Sequence, residues 1–119
     1  MIRRSRECVL NVPTIELAAK VVGIGNCSGA SVDKFEKFQL TAAAADEVKA
    51  PLIAECHANL ECKLVKLRDS YDLFIFEVVR AHAPARPKYP RTIHYRGDGM
   101  FMVAGRSLNL RRRFKPEML

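Results

Sequence analysis

The stretch from Ala58 to Ala83, ANLECKLVKLRDSYDLFIFEVVRAHA, decides the fold. β-Branched, aromatic and leucine residues dominate positions 58–68 and again 72–83, a composition typical of β-strands. The residues between them, Asp69 to Tyr71, have the small and polar character of a turn. The sequence therefore predicts a long antiparallel hairpin.

A second hairpin and an isolated strand flank this one. Gly97-Asp98-Gly99 is a strong tight-turn signal between two apolar segments at 92–96 and 100–104. Upstream, Glu7 to Val12 reads as a short buried strand that ends at Pro13, because proline cannot donate a ladder hydrogen bond. The chain thus offers about five strands.

Two short helices are expected between the first strand and the long hairpin. Thr14 is a suitable N-cap for a helix whose apolar periodicity stops at Gly23 and Gly25. A second helix is expected over 32–38, with Ser31 as its cap. The alanine-rich segment 41–51 has no clear face and predicts a connector.

These elements predict a mainly β fold: a β-barrel built from antiparallel hairpins, with two short peripheral helices. The 119 residues suit one domain, and 49% hydrophobic against 28% charged residues exclude a disordered chain. Neither a secretory h-region nor an apolar run of ~20 residues is present in the sequence, which favours a cytoplasmic location and no membrane partner.

The formal net charge of +7 is concentrated at the carboxyl end, where residues 86–119 hold nine of the twenty basic side chains and only two acidic ones. Such a tail indicates either an anionic partner or a solvated basic segment. Tyr95, Phe101 and the arginine cluster suggest a nucleic-acid-binding barrel, but aromatic and basic residues do not interleave on one strand face, so nucleic acid is not favoured.

The four cysteines, Cys8, Cys27, Cys56 and Cys62, are expected to be reduced thiols, because a chain without an export signal does not call for disulfides. Their spacing to the histidines matches no common zinc pattern, so no metal site is expected. Within a hydrophobic strand, Cys62 is expected to be an inert core residue.

Five stretches occur in the order seen in the flavin reductase-like, FMN-binding split-barrel family of the flavoredoxin type, which the chain resembles over about residues 2–83. They are CVLNVPT at 8–14, CSGASVDKF at 27–35, KAPLIAE at 49–55, NLECKLV at 59–65 and DLFIFEVV at 72–79. A looser similarity follows at 93–97. The opening strands and the phosphate-binding loop of such proteins would precede this match.

The resemblance implies a partial split barrel over 1–105, followed by a basic tail at 106–119. It implies a homodimer that holds FMN at the subunit interface and passes electrons between the flavin and NAD(P)H or an electron-transfer protein. The alternative is a non-catalytic remnant of the barrel that acts as a dimerising or binding module.

The resemblance also carries candidate cofactor-binding residues. Lys34 falls on the family's lysine that contacts the flavin ring, and Ser28, Gly29 and Asp33 share its loop. An ammonium beside the ring's N1–C2=O edge would stabilise the charge that develops on reduction. The other interpretation is that Asp33 and Lys34 only cap and solvate a short helix.

Two further candidates have structural alternatives. Asn11 matches a family position and could bond a ligand or its own following turn. His94 could face nicotinamide or the flavin edge, or be a half-exposed strand residue. A departure from the family is Phe76, which stands where relatives commonly have glycine.

Overall fold

The computed structural model describes residues 2–118. Three short α-helices are present, α1 (Ile2–Ser5), α2 (Ala18–Gly25) and α3 (Lys34–Lys37). Seven strands follow the chain in this order: β1 (Glu7–Val12), β2 (Ala42–Ala43), β3 (Leu52–Ile53), β4 (Ala58–Arg68), β5 (Leu73–His82), β6 (Ile93–Gly97) and β7 (Met100–Val103). The predicted mainly β architecture with antiparallel pairing is confirmed.

The largest sheet has three antiparallel strands in the order β1-β4-β5. Because β4 is paired on both sides, it carries the most buried residues of the chain, including Glu61 and Cys62, which have no exposed surface. The predicted long hairpin is confirmed as β4 and β5, joined by a 3-10 turn at Asp69–Tyr71 and by Asp72 in the left-handed region at φ 47°. Arg3 forms ion pairs with both Asp69 and Asp72, so α1 holds this turn.

The second hairpin is also confirmed. β6 and β7 pair around a turn at Asp98 and Gly99, whose φ angles are 50° and 74°. Glycine adopts positive φ at no steric cost, and aspartate tolerates it better than most residues. The hairpin attaches to the start of the helical segment through an isolated bridge between Thr14 and Thr92 and a bond from Ile15 N to Arg91 O of 3.0 Å. The turn chemistry in the sequence was sufficient to predict this element.

The helices begin later than predicted. After Thr14 the chain forms a 3-10 turn at Ile15–Leu17, and α2 begins only at Ala18, although it ends at Gly25, where the sequence indicated a stop. The prediction that Ser31 caps the next helix is wrong. The cap of α3 is Asp33, whose Oδ1 accepts hydrogen bonds from Phe35 N and Glu36 N at 2.9 and 3.2 Å.

The segment predicted as a connector contains a short ladder, so the strand count of five is too low. Ala42 pairs with Ile53 and Ala43 with Leu52, which forms β2 and β3. The carboxylate of Glu55 accepts from Thr41 N at 2.9 Å and closes the ladder. Alanine has low strand propensity, so the pairing depends on the partner strand rather than on local sequence.

The buried apolar core is small and consists of Leu17, Val48, Leu52, Cys62 and Leu64. Large apolar side chains on β5, including Leu73, Ile75 and Val78, are exposed. Residues 105–118 are exposed throughout and form two 3-10 turns. Among the described residues, no helix has the length and apolar character that a membrane crossing requires.

Candidate functional site

The loop between α2 and α3, together with the first residue of α3, holds four of the predicted cofactor-binding residues: Ser28, Gly29, Asp33 and Lys34. The carbonyl of Ser28 accepts from Ser31 N and Val32 N at 3.2 Å, and its hydroxyl accepts from Ala30 N. A side chain at Gly29 would place its Cβ 3.9 Å from Lys34 Cε. Because Gly29 has no side chain, no atom of residue 29 packs against the aliphatic part of Lys34 on this side.

Lys34 lies across the end of α2. Its Nζ donates a 2.9 Å hydrogen bond to the carbonyl of Ile24, in the last turn of that helix. An ammonium at a helix C-terminus offsets the negative end of the helix dipole. Because an ammonium has three N–H donors and this bond uses one, Lys34 keeps two donors for a ligand.

A cavity of about 520 Å³ lies beside this helix end. On one side it is lined by α2 and the residue that follows it, through Val21, Val22, Gly25 and Asn26, and on the other by the β6–β7 hairpin, through Tyr95, Gly99 and Phe101. Small-molecule sites commonly enclose about 300–1,000 Å³ behind apolar and aromatic walls. The size and lining of this cavity suit a planar conjugated ligand.

The two aromatic residues of the cavity form a pair across the hairpin. The ring centroids of Tyr95 and Phe101 are 5.2 Å apart, with an interplanar angle of 50°. Both residues line the cavity opposite α2, and the Lys34 ammonium bonds the carbonyl of Ile24, the neighbour of the lining residue Gly25. Aromatic side chains can pack against a planar ring, and a cation stabilises negative charge that develops on such a ring.

The structure does not bring Asn11 or His94 into this cavity. Asn11 Oδ1 accepts from Ile53 N at 3.1 Å and links β1 to β3, which is neither of the two roles considered from the sequence. His94 precedes Tyr95 on β6, so its side chain lies on the opposite face of the strand. Its Nε2 is 3.2 Å from Thr92 Oγ1.

A buried carboxylate was missed as a candidate. Glu61 is fully buried in β4 and accepts hydrogen bonds from the backbone N–H groups of Asp46, Glu47 and Val48 at 3.0, 2.7 and 3.2 Å. His82 Nε2 lies 2.6 Å from its Oε1. An acidic residue at a buried position of an apolar strand was the available signal, because buried charges require partners.

The environment of Glu61 keeps it ionised. Burial alone raises the pKa of this carboxyl, but the bonds from Asp46 N, His82, Glu47 N and Val48 N together outweigh burial and lower the pKa to about 2. Ligand atoms of Asp46, Glu61 and His82 lie within 4.8 Å of one another, a set of residue types that can hold metal ions. Since four hydrogen bonds already occupy the oxygens of Glu61, the cluster acts as an anchor for the segment 46–48.

Three cysteines, Cys8, Cys56 and Cys62, are not set up as nucleophiles. Cys8 and Cys62 are directly opposite each other on β1 and β4. Burial raises the pKa of both thiols and also that of Cys56, and the carboxylate of Glu55 adds to the shift at Cys56. Cys62 is buried, as predicted.

Comparison with known proteins gives a family match over most of the chain. The family described as "Flavin reductase like domain" matches residues 1–101. An uncharacterized protein of Archaeoglobus fulgidus is 44% identical over 81 residues, which are 66% of this chain and 46% of that protein. The chain thus spans about half or less of the curated relatives it matches.

Two solved structures show the same fold. An FMN-binding domain of a flavin reductase-like enzyme from Shewanella baltica OS155 is 30% identical, with a TM-score of 0.76 over 91% of this chain and 65% of that one. The flavoredoxin of Desulfovibrio vulgaris (Miyazaki F) is 20% identical, with a TM-score of 0.81 over 91% and 64%. The resemblance inferred from the five sequence stretches is confirmed.

Proposed function

The chain belongs to the flavin reductase like domain family, and from this premise we propose that it binds FMN and passes electrons between the flavin and NAD(P)H or a protein donor. The related Shewanella baltica structure is described as FMN-binding. The proposed site is the 520 Å³ cavity between α2 and the β6–β7 hairpin, together with Lys34.

The observation that carries the proposal is an aromatic cavity at the end of α2, the helix whose last turn holds the Lys34 ammonium. This ammonium is held on Ile24 O with two donors left over, and the Tyr95–Phe101 pair forms the facing wall. When bound, FMN supplies the redox chemistry. The part of this chain is to bind the ring between α2 and the aromatic pair and to direct the Lys34 N–H donors at the edge that becomes negative on reduction.

The FMN phosphate is not assigned to a residue of this chain. Within residues 2–118, the lining of the cavity has no arginine or lysine. We therefore propose that the phosphate is held by residues from outside this cavity, supplied either by a partner subunit or by the phosphate-binding loop that precedes the matched region in the family.

A homodimer with flavin at its interface is the proposed assembly. The exposed apolar side chains of β5, Leu73, Ile75 and Val78, are 49%, 42% and 51% exposed, and β1 and β5 are the edges of their sheet. Edge strands with exposed apolar residues are usually covered by another chain or segment. The same surface would support the alternative, a dimerising module without flavin chemistry.

Titration of FMN into the purified chain separates these two functions. Binding should quench flavin fluorescence in a saturable way, and NAD(P)H or a reduced carrier protein should then bleach the bound flavin anaerobically. Saturable quenching without reduction by any donor would leave a flavin-binding module. No quenching at all would overturn the flavin proposal for this chain.

A further inference from the structure

The two faces of the β6–β7 hairpin have different surroundings. Tyr95 and Phe101 pair across the hairpin and line the cavity assigned to flavin. Strand alternation places the next cross-strand pair, His94 and Met102, on the opposite face. Met100 lies two residues from Met102 on β7 and therefore shares that face.

This outer face, formed by His94, Met100, Met102 and the adjacent Arg96, is open to solvent. All four side chains are exposed, and the two methionines are 63% and 53% exposed. Methionine is flexible and polarizable, so it adapts to partner surfaces of different shape. The strands have only five and four residues, a contact area that suits a transient encounter between proteins.

The outer face lies within the basic part of the chain. Residues 84–119 contain nine basic and two acidic side chains, which accounts for the formal net charge of +7, because eleven basic and eleven acidic residues cancel over positions 1–83. All nine basic side chains are exposed, and within residues 2–118 none of them forms a salt bridge. Such a density of unpaired cations attracts an anionic partner.

Positive charge is present at both ends of the hairpin. The backbone bond from Ala104 N to Thr92 O, of 2.8 Å, closes the base of the hairpin, so Arg91 and Arg106 leave it from the same end. Arg96 lies at the other end, beside the turn, where the strand register leaves it unpaired. The outer face is thus bordered by cations along its length.

We propose that the outer face docks a small acidic redox protein that delivers electrons to the flavin site. This inference rests on the proposed function, because it identifies the partner of that site by its chemistry. The hairpin is one layer of chain, and packed layers are spaced ~10 Å apart. A partner on the outer face is therefore separated by a single layer from the cavity that the other face lines.

The electron transfer balances with a one-electron carrier. Two molecules of a reduced iron–sulfur protein each lose one electron, and one FMN takes up the two electrons together with two protons from solvent. No further oxidant or reductant is required. Charge complementarity of this kind raises the rate of encounter more than the strength of the complex, as a carrier that must leave again requires.

The other anionic partners fit this surface less well. Proteins that bind single-stranded nucleic acid stack bases on aromatic rings beside cations, whereas Tyr95 and Phe101 line the cavity instead of the outer face. Segments that lie on anionic membranes are typically amphipathic helices. Residues 105–118 form only two 3-10 turns.

The test is an NMR titration of the isotope-labelled full chain with an acidic plant-type two-iron ferredoxin. The methyl signals of Met100 and Met102 should broaden or shift in a saturable way. The affinity should fall at least about tenfold between about 0.01 M and 0.1 M salt, because the Debye length shortens from about 30 Å to about 10 Å. Unchanged methyl signals, or binding that is independent of salt, overturn the proposal.

Charge-reversal variants locate the docking surface. Arg96→Glu should weaken ferredoxin binding about tenfold, because it replaces attraction by repulsion at the contact. Lys66→Glu is the matched control, since it makes the same change in net charge at an exposed position of β4 and should alter the affinity by less than about threefold. Both variants should bind FMN as the parent does. Equal losses of ferredoxin binding would mean that only net charge matters and would contradict the assigned face.

Failure of this inference is distinguishable from failure of the proposed function. If FMN binds and dithionite reduces it, but reduced ferredoxin does not, the flavin site stands and the inference is wrong. If FMN does not bind, the proposed function fails, while the NMR titration still decides whether the outer face docks the carrier. Displacement of ferredoxin by a ~16-nucleotide single-stranded DNA, or by phosphatidylserine vesicles, that shifts the same methyl signals more tightly would identify a nucleic-acid or lipid surface and overturn the proposal.

Discussion

Lys34 Nζ lies 2.9 Å from the carbonyl oxygen of Ile24, which fixes this first residue of α3 against α2, the helix that borders the aromatic cavity. Lys34→Ala should weaken FMN binding roughly ten- to hundredfold, because a hydrogen bond to a charged group contributes ~1.5–3 kcal/mol. Fluorescence-quenching titrations at fixed ionic strength measure the change.

Lys37→Ala is the matched control for that experiment. Lys37 is an exposed residue of α3 and carries the same charge, so its removal should change FMN affinity by less than about threefold. Equal losses in the two variants would mean that only net charge matters and would remove Lys34 from the site.

Gly23 is expected to be intolerant of a side chain. A Cβ at this position would lie 2.5 Å from Cε1 of the Phe38 ring, which packs on α2. Overpacking of this kind costs about 1–3 kcal/mol. Gly25→Ala, in the same helix with no atom within 4 Å of its Cβ, gains the helix propensity of alanine without the clash. The difference in urea unfolding free energy between the two variants should therefore be about 1–3 kcal/mol, and similar stabilities would show that Phe38 moves aside freely.

Because of Glu61, the free energy of unfolding should fall as the pH is lowered through the acid range. The pKa of its carboxyl is lowered from 4.5 to about 2 in the folded chain, so the carboxylate stabilises the fold above its unfolded pKa. This contribution is lost progressively as pH falls from about 4.5 towards 2. In Glu61→Gln the new NH₂ group faces backbone N–H donors, so the variant should be less stable than the parent at neutral pH. Because glutamine does not titrate, the free energy of unfolding of the variant should decrease less steeply as the pH falls. Urea midpoints between about pH 7 and 3 test this, with exposed Glu77→Gln as the control. Parallel pH profiles for Glu61→Gln and the parent would contradict the assignment.

The exposed apolar side chains of β5 should mediate self-association. Light scattering at micromolar concentration should give the mass of a dimer, and Ile75→Glu should weaken that dimer at least tenfold because a charge would replace apolar contact. Arg80→Glu, an exposed change on the same strand, controls for charge, although it also removes the ion pair with Asp46. A monodisperse parent monomer would overturn the proposed assembly.

Local chemistry explains which parts of the fold could be predicted. Both hairpins follow from turn residues between apolar segments, as at Asp98 and Gly99, where the conformation is set within two or three residues. The β2–β3 ladder was missed because Ala42 and Ile53 are weak signals separately and pair across eleven positions. The cap of α3 was predicted at Ser31, two residues before the observed cap at Asp33, because several residues of that loop have side chains that can cap a helix.

The candidate site was less accessible to sequence reasoning. The family resemblance indicated the loop of Lys34, but nothing in the sequence placed that lysine on Ile24 O. Strand alternation puts His94 and Tyr95 on opposite faces of β6, yet only the packing against α2 shows that Tyr95 is the one at the cavity. The backbone partners of Glu61 lie 13–15 residues away in a loop without a motif.

The anchoring of three consecutive amides, Asp46 to Val48, on the single carboxylate of Glu61 constrains how this protein can diverge. An insertion or deletion inside this segment would shift the amides out of register with the carboxylate and leave a buried anion without its donors. Changes in loop length should therefore be rare in the segment 44–50 and frequent in the exposed linker 84–91, even though both are irregular chain in the same molecule.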